Sequence, residues 1–135
     1  MTNGDWRPHV ELAVHCSPTN VQRVMALVDM GAECTLLYGN PDKFLGPAAY
    51  NYGYRGPSVK VKAMWLSLSI GRLPSPTLRE YTVYVSPIPE YILGIVVLQG
   101  LWLQTTAGEF CLRVRVVKAI QWRHARHPPT QLPSP

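Results

Sequence analysis

The most informative part of the sequence is Ala26-Leu27-Val28-Asp29-Met30-Gly31-Ala32-Glu33. The apolar run from Val24 to Val28 predicts a buried strand, and this strand ends abruptly at an acid. A carboxylate in such a place is costly unless it has partners. From this stretch alone two interpretations are open: Asp29 begins a turn through local hydrogen bonds, or it carries chemistry.

Short strands flank this stretch on both sides. Residues 9–14 alternate, with Val10, Leu12 and Val14 on one face, which is typical of a half-buried strand. Further strands are predicted over 34–38, 59–70 and 81–86, with turns at 17–20 and 39–41. The 13 prolines and 10 glycines leave no room for long helices. The chain is therefore predicted to be all-β or nearly so.

The long alternating stretch over 59–70 changes phase. Val59 and Val61 lie at odd positions, whereas Leu66 and Leu68 lie at even ones. A slip of one residue turns every side chain to the other face, so we expect a bulge or a sharp bend near Ala63. This pattern is typical of a strand that leaves the body of a domain to form a projecting hairpin, whose tip would lie in the Gly- and Pro-rich residues 44–57.

Length and composition predict one domain. The chain has 135 residues, of which 47% are hydrophobic and 16% charged, enough for one modest core. We assign an N-terminal extension to residues 1–7 and the domain to 8–120. Residues 102–105 and 110–120 read as a terminal hairpin around Ala107-Gly108. Residues 121–135, with four prolines and no acid, are predicted to be a flexible basic tail.

Several classes of function find little support. The net charge of +5 gathers in a basic stretch from Arg113 to Arg126, but no aromatic-interleaved RNA-binding motif accompanies it, so nucleic-acid binding is not expected. Cys16, Cys34 and Cys111 have no zinc-site spacing and are expected to be reduced thiols. Neither a signal segment nor a membrane span is visible. We therefore expect a cytoplasmic or virion-interior protein without metal or cofactor.

Three ordered blocks resemble the retropepsins, the aspartic proteases of retroviruses and endogenous retroviral elements. Residues 27–33 resemble the apolar strand and Asp-Thr/Ser-Gly-Ala motif of that family. Gly53-Tyr54-Arg55-Gly56, followed by Val59-Lys60-Val61, resembles its glycine-rich flap and returning strand. Ile92-Leu93-Gly94 and the apolar residues 95–98 resemble its last strand and short C-terminal helix. The resemblance covers roughly residues 8–120 and implies a single-lobe acid-protease fold closed by a flap hairpin.

The resemblance also implies a reaction and its residues. Asp29 would be catalytic, Met30, Gly31 and Ala32 would form the active-site loop, and Glu33 would hydrogen-bond the substrate backbone. Gly53, Tyr54 and Gly56 would close a flap over an extended peptide. Such hydrolysis needs two carboxylates that share one proton, as is well established for aspartic proteases in general. This chain has one matching aspartate, so the second must come from a second copy across a two-fold axis.

Two positions depart from the family pattern and keep two hypotheses open. Met30 stands where the family has a Thr or Ser, whose hydroxyl bonds across the dimer axis, and it adds a longer side chain to a site expected to be tight. Val96 stands near where the family usually has Asp or Asn. The first hypothesis is a homodimeric aspartic endopeptidase that cleaves extended segments of a polyprotein. The alternative, favoured by these two residues, is an inactive retropepsin-like module that dimerises or binds peptides.

Overall fold

The computed structural model describes residues 6–46, 48–51, 59–70, 79–102, 120–124 and 129–133. The described residues form eight strands, one 3-10 turn and one helix: β1 (Trp6–Ser17), β2 (Asn20–Val28), β3 (Leu36–Tyr38), the 3-10 turn (Pro41–Lys43), β4 (Ala48–Asn51), β5 (Val59–Ile70), β6 (Arg79–Ser86), β7 (Ile92–Leu93), α1 (Ile95–Trp102) and β8 (Gln121–His124). This composition confirms the prediction of a largely β fold with one short helix. The finer assignment to a retropepsin lobe stays a prediction.

The strands form a sheet that closes on itself. Their order is β4-β5-β6-β3-β7-β2-β1-β8, and β5 also pairs with β1. One edge of β1 pairs with β2, while the other edge pairs with β8 over residues 6–9 and with β5 over residues 12–15. Six strands therefore make a closed circuit, to which β4 and β8 are attached. β1 is the strand on which this closure depends.

The core lies inside this circuit. Val10, Leu12 and Val14 of β1 are at most 1% exposed, as predicted, although Ala13 on the opposite face is also buried, at 5%. Thirteen other buried residues complete the cluster: Ala26, Leu37, Phe44, Leu66, Leu68, Tyr81, Val83, Val85, Tyr91, Leu93, Val97, Leu98 and Leu132. Every strand of the closed circuit, together with α1 and residues 129–133, contributes to one cluster. Burial of these side chains is the main term that stabilises the fold.

The predicted bulge near Ala63 is absent, although the predicted change of phase is real. The β5–β6 register is constant from the Lys62–Val85 pair to the Leu68–Arg79 pair. Val61 is nevertheless buried at an odd position, whereas Leu66 and Leu68 are buried at even ones. Val61 does not belong to the main cluster. The two faces of one regular strand are thus buried in different places. The face of Val61 is buried where β5 pairs with β4, over residues 59–62, and the face of Leu66 and Leu68 is buried where β5 pairs with β6, over residues 62–68.

Both ends of the predicted domain need correction. Trp6 and Arg7 belong to β1 and not to an extension, because they pair with His124 and Arg123 of β8. Residues 121–124 are likewise a strand and not a flexible tail, and Leu132 is 3% exposed. The basic, proline-rich composition of residues 121–135 led to the prediction of a flexible tail. It did so wrongly because strand pairing is made by the backbone and a single buried leucine needs no apolar neighbours in the sequence. Trp102 ends α1 and does not begin a strand, and the remainder of the predicted hairpin lies mostly in 103–119, outside the described residues.

Smaller differences concern strand boundaries. β2 begins at Asn20 and is less buried than its apolar run predicts, since Ala26 is its one fully buried residue. β3 begins at Leu36 and not at Cys34. The predicted turn at 17–20 is confirmed as the connection between β1 and β2. Cys16 and Cys34 are free thiols, as expected, while Cys111 lies outside the described residues.

In the described part of the chain, no helix has the length and apolar character needed to cross a membrane.

Leu68 tests the closure of the circuit. It is fully buried and pairs with Val14 of β1 and with Arg79 of β6. We expect Leu68→Ala to lower the free energy of unfolding by about 2–5 kcal/mol, because it leaves a cavity at the point of closure. Leu45→Ala, at a residue that is 91% exposed, is the matched control and should cost less than about 0.5 kcal/mol. Urea unfolding of both variants measures this difference, and equal losses would contradict the closed sheet.

Candidate active site

Asp29 lies directly after the last residue of β2, where that strand runs beside β7. Leu27 and Val28 pair in parallel with Ile92 and Leu93. The Leu27 amide donates to the carbonyl oxygen of Tyr91 at 2.8 Å, and the Asp29 amide donates to that of Leu93 at 3.1 Å. Asp29 is half-buried. The strand thus delivers one carboxylate to the edge of the core and fixes its backbone on both sides of Val28.

The carboxylate also shapes the turn that follows. The Gly31 amide donates to Oδ1 of Asp29 at 3.0 Å, and the Ala32 amide donates to its carbonyl oxygen at 3.1 Å. These are the local bonds of an Asp that initiates a turn, so the turn interpretation is correct for the backbone. It does not exclude chemistry, because this hydrogen bond engages Oδ1 alone. Gly31 does not have the positive φ expected for a tight turn, so the turn itself does not require glycine there.

Residues 94–95 hold this loop through hydrogen bonds, and these contacts are called the clamp below. The Ile95 amide donates to the carbonyl oxygen of Ala32 at 2.8 Å, and the Gly94 amide donates to the Thr35 hydroxyl at 2.9 Å. Thr35 is 2% exposed. A Cβ at Gly94 would lie 2.6 Å from the carbonyl oxygen of Cys34 and 3.0 Å from that of Ala32. The two chain segments therefore pass so closely that residue 94 has to be glycine.

The predicted site residues divide into three groups. Asp29, Gly31 and Ala32 form the clamped loop. Met30 is 62% exposed and Glu33 is exposed, so both side chains lie on the outer side of that loop. Gly53, Tyr54 and Gly56 lie outside the described residues, although the strands that lead to them, β4 and β5, pair regularly.

The expectation that Met30 adds a long side chain to a tight site concerns the two-chain site and stays a prediction. Its side chain meets solvent, so it causes no overpacking within this fold. Val96, in the first turn of α1, is 64% exposed. Both departures from the family pattern are thus exposed apolar side chains, each within two residues of the hydrogen bond between Ile95 and Ala32.

Thr35 and Tyr91 support the site but were missed from the sequence. Tyr91 is buried, and its ring meets the Tyr38 ring edge to face at 6.4 Å. Its hydroxyl donates to the carbonyl oxygen of Thr130 at 2.7 Å and lies 3.3 Å from that of Tyr38. Burial, with smaller contributions from Cys16 and Tyr38, raises the pKa of Tyr91 to about 12. This group therefore stabilises the fold below pH 10, and that contribution is lost as the pH rises toward 12.

The described residues offer no evident metal site, since no three His, Cys, Asp or Glu side chains cluster among them. The chemistry that the arrangement offers is that of a half-buried carboxylate whose backbone is fixed by three amide-to-carbonyl bonds. A sequence signal for Thr35 exists in retrospect: it is a hydroxyl directly before the apolar pair Leu36-Leu37. Tyr91 gives no such signal, because its partners lie far away in the sequence.

Gly94 tests the clamp. We expect Gly94→Ala to lower the free energy of unfolding by at least about 2 kcal/mol, because its new methyl group would meet backbone atoms that cannot move aside. Gly31→Ala is the matched control: its Cβ would meet Asp29 Oδ1 at 3.4 Å, an ordinary contact, and should cost less than about 1 kcal/mol. Thermal or urea unfolding compares the two variants. Similar stability of both variants would show that the close approach at residue 94 does not constrain the fold.

Comparison with known proteins adds no family to this picture. No protein-family model matches the chain, and no curated protein matches it either. The resemblance to retropepsins therefore rests on residues 27–33, 53–61 and 92–98 alone. The function has to be argued from the site.

Proposed function

We propose that this chain is a retropepsin-type aspartic endopeptidase that acts as a homodimer. The observation that carries the proposal is the fixed Asp29 carboxylate at the end of β2, held by backbone bonds to β7 and α1. The substrate is an extended peptide segment of a retroviral-type polyprotein. The reaction is hydrolysis of a peptide bond by an activated water.

The second carboxylate has to come from a second copy of the chain. Among the eight acids of the sequence, Asp29 alone stands in an Asp-x-Gly pattern. Glu11 pairs with Arg23 at 2.9 Å and Asp42 with Lys60 at 3.2 Å. Two Asp29 side chains related by a two-fold axis would lie about 3 Å apart and hold one proton between them. The unprotonated carboxylate acts as base toward water, and the protonated one as acid toward the peptide carbonyl oxygen.

The fixed loop suits this chemistry. The Gly31 amide holds Oδ1 of Asp29, which leaves Oδ2 available for the shared proton or the water. Because the clamp lies within each chain, the carboxylate is oriented before substrate arrives, as efficient catalysis requires. The substrate would lie as an added strand beside the β4–β5 pair, with Glu33 next to it. The flap role of Gly53, Tyr54 and Gly56 is what the family resemblance implies.

Met30 and Val96 fit the surface that a second copy would cover. A two-fold axis that brings two Asp29 carboxylates together also brings the two adjacent Met30 residues into the interface. Their exposed side chains are apolar, and burial of an apolar side chain stabilises an interface by about 1.5–3 kcal/mol. The hydroxyl of the family motif would thus be replaced by an apolar contact.

Asp29→Asn tests the catalytic assignment. We expect it to lower peptide cleavage by at least about 10²–10⁴-fold while the fold remains intact, because the amide cannot share a proton. Asp42→Asn, at an exposed acid, is the matched control and should retain activity. Cleavage by the wild-type chain should fall at both acid and alkaline pH, because the pair works with one proton. Equal activity of the two variants would remove Asp29 from the mechanism.

Met30→Asp tests the dimer. We expect it to weaken dimerisation at least about 10-fold, because it places two like charges near the two-fold axis. Val21→Asp is the control: Val21 is exposed and lies eight residues from Asp29 along an extended strand, about 26 Å away. Sedimentation velocity over a concentration series measures both variants. If Val21→Asp weakens the dimer as much as Met30→Asp does, the interface does not contain the Asp29 loop.

A second candidate function is a non-enzymatic module that dimerises or holds extended peptides. The missing hydroxyl at Met30 and the apolar first turn of α1 favour it. Met30→Thr separates the two functions. If the wild-type chain dimerises without cleaving peptide and Met30→Thr cleaves, the second function describes this chain; if the wild-type chain itself cleaves, the first one does.

A further inference from the structure

Residues 129–133 occupy a pocket behind the candidate active site. Leu132 is 3% exposed, while its neighbours Gln131 and Pro133 are exposed. The Leu132 amide donates to the carbonyl oxygen of Tyr38 at 2.7 Å, and the carbonyl oxygen of Thr130 accepts from the Tyr91 hydroxyl at 2.7 Å. One buried side chain and two hydrogen bonds therefore hold this segment.

The Leu132 side chain fills a space within the buried core, and this space is the pocket meant below. Leu132 belongs to the same buried cluster as Phe44 and Tyr91. Gly39 leaves room for it: a Cβ there would lie 2.9 Å from Val85 Cγ1, 3.4 Å from the Phe44 ring and 3.7 Å from the carbonyl oxygen of Leu132. A side chain at residue 39 would thus crowd Val85, while it would make ordinary contact with Phe44 and with the carbonyl oxygen of Leu132.

Tyr91 connects this pocket to the Asp29 loop. Its hydroxyl holds Thr130, while its own carbonyl oxygen accepts from the Leu27 amide at 2.8 Å, two residues before Asp29. Leu93, two residues after Tyr91, accepts from the Asp29 amide. The segment that binds residues 129–133 is thus the segment that fixes the backbone at Asp29.

We propose that residues 129–133 are a positioning segment for the Asp29 loop, seated in a pocket that binds an extended Thr-Gln-Leu-Pro peptide through its leucine. The effect on the loop passes through Tyr91. The catalytic consequence rests on the proposed function, whereas the effect on the backbone at Leu27 and Asp29 does not.

Leu132→Ala in the full chain empties the pocket. We expect amide hydrogen exchange at Leu27 and Asp29, measured by NMR, to become at least about tenfold faster than in the wild-type chain, while exchange in the β5–β6 ladder changes less. Gln131→Ala is the matched control, because this neighbouring side chain is exposed. Leu132→Met keeps an apolar side chain of similar size and should restore slow exchange.

A peptide added in solution tests the pocket itself. The pentapeptide Pro-Thr-Gln-Leu-Pro, at millimolar concentration, should restore slow exchange at Leu27 in the Leu132→Ala chain. The same peptide with alanine in place of leucine should not. In cleavage assays, Leu132→Ala should lower kcat by a larger factor than it changes KM. Addition of the leucine peptide should restore kcat.

The outcomes separate this inference from the proposed function. Equal acceleration of all amides by Leu132→Ala, or an unchanged rate at Leu27, would overturn the positioning role. Failure of the leucine peptide to act differently from the alanine peptide would overturn the pocket. If Leu132→Ala accelerates exchange at Leu27 and the leucine peptide reverses this, while the wild-type chain never cleaves peptide, the inference is supported and the proposed function is removed.

Discussion

Gly94 passes Ala32 and Cys34 at backbone contact, and this close passage holds the Asp29 loop, β7 and α1 together. A Cβ at residue 94 would meet the carbonyl oxygen of Cys34 at 2.6 Å, so two segments more than 50 residues apart are held at backbone contact. Thr35 and the Ile95 amide then complete the clamp. β7 lies beside β2 in the sheet, and α1 comes directly after β7 in the chain. The crossing at Gly94 therefore fixes β2, Asp29 and α1 together.

The hydrogen bonds of the Asp29 loop change the interpretation of Met30. The loop geometry comes from bonds within the chain, which do not involve the side chain of residue 30. A hydroxyl at that position is thus not needed to shape a single subunit. In the proposed dimer, its loss would concern the contact between subunits, where the exposed apolar side chain of Met30 would offer a different contact. The intact carboxylate and the unusual neighbour are therefore compatible with one function.

Local patterns predicted much of the fold, whereas contacts between distant residues were missed. The alternation of Val10, Leu12 and Val14 is visible in consecutive residues. Periodicity left strand and helix open for residues 92–101, and the family resemblance predicted the strand, glycine and helix that are found at 92–102. The pairing of β8 with β1 and the burial of Leu132 depend on partners that are distant in the sequence, and a proline-rich composition concealed both. At the site, Asp29 and Gly31 were predicted, but Thr35 was not, because its role exists only where Gly94 reaches it.

In the proposed dimer one active site needs the Asp29 of two chains, and mixing of subunits tests this requirement. A fixed amount of wild-type chain is mixed with a ninefold excess of Asp29→Asn, above the concentration needed for dimerisation, and peptide cleavage is measured. Random pairing leaves few dimers of two wild-type chains, and a mixed dimer holds one Asp29 alone. We therefore expect about a tenfold fall in activity. The same excess of Asp42→Asn should not lower it. Activity that stays unchanged with Asp29→Asn would contradict the two-chain site.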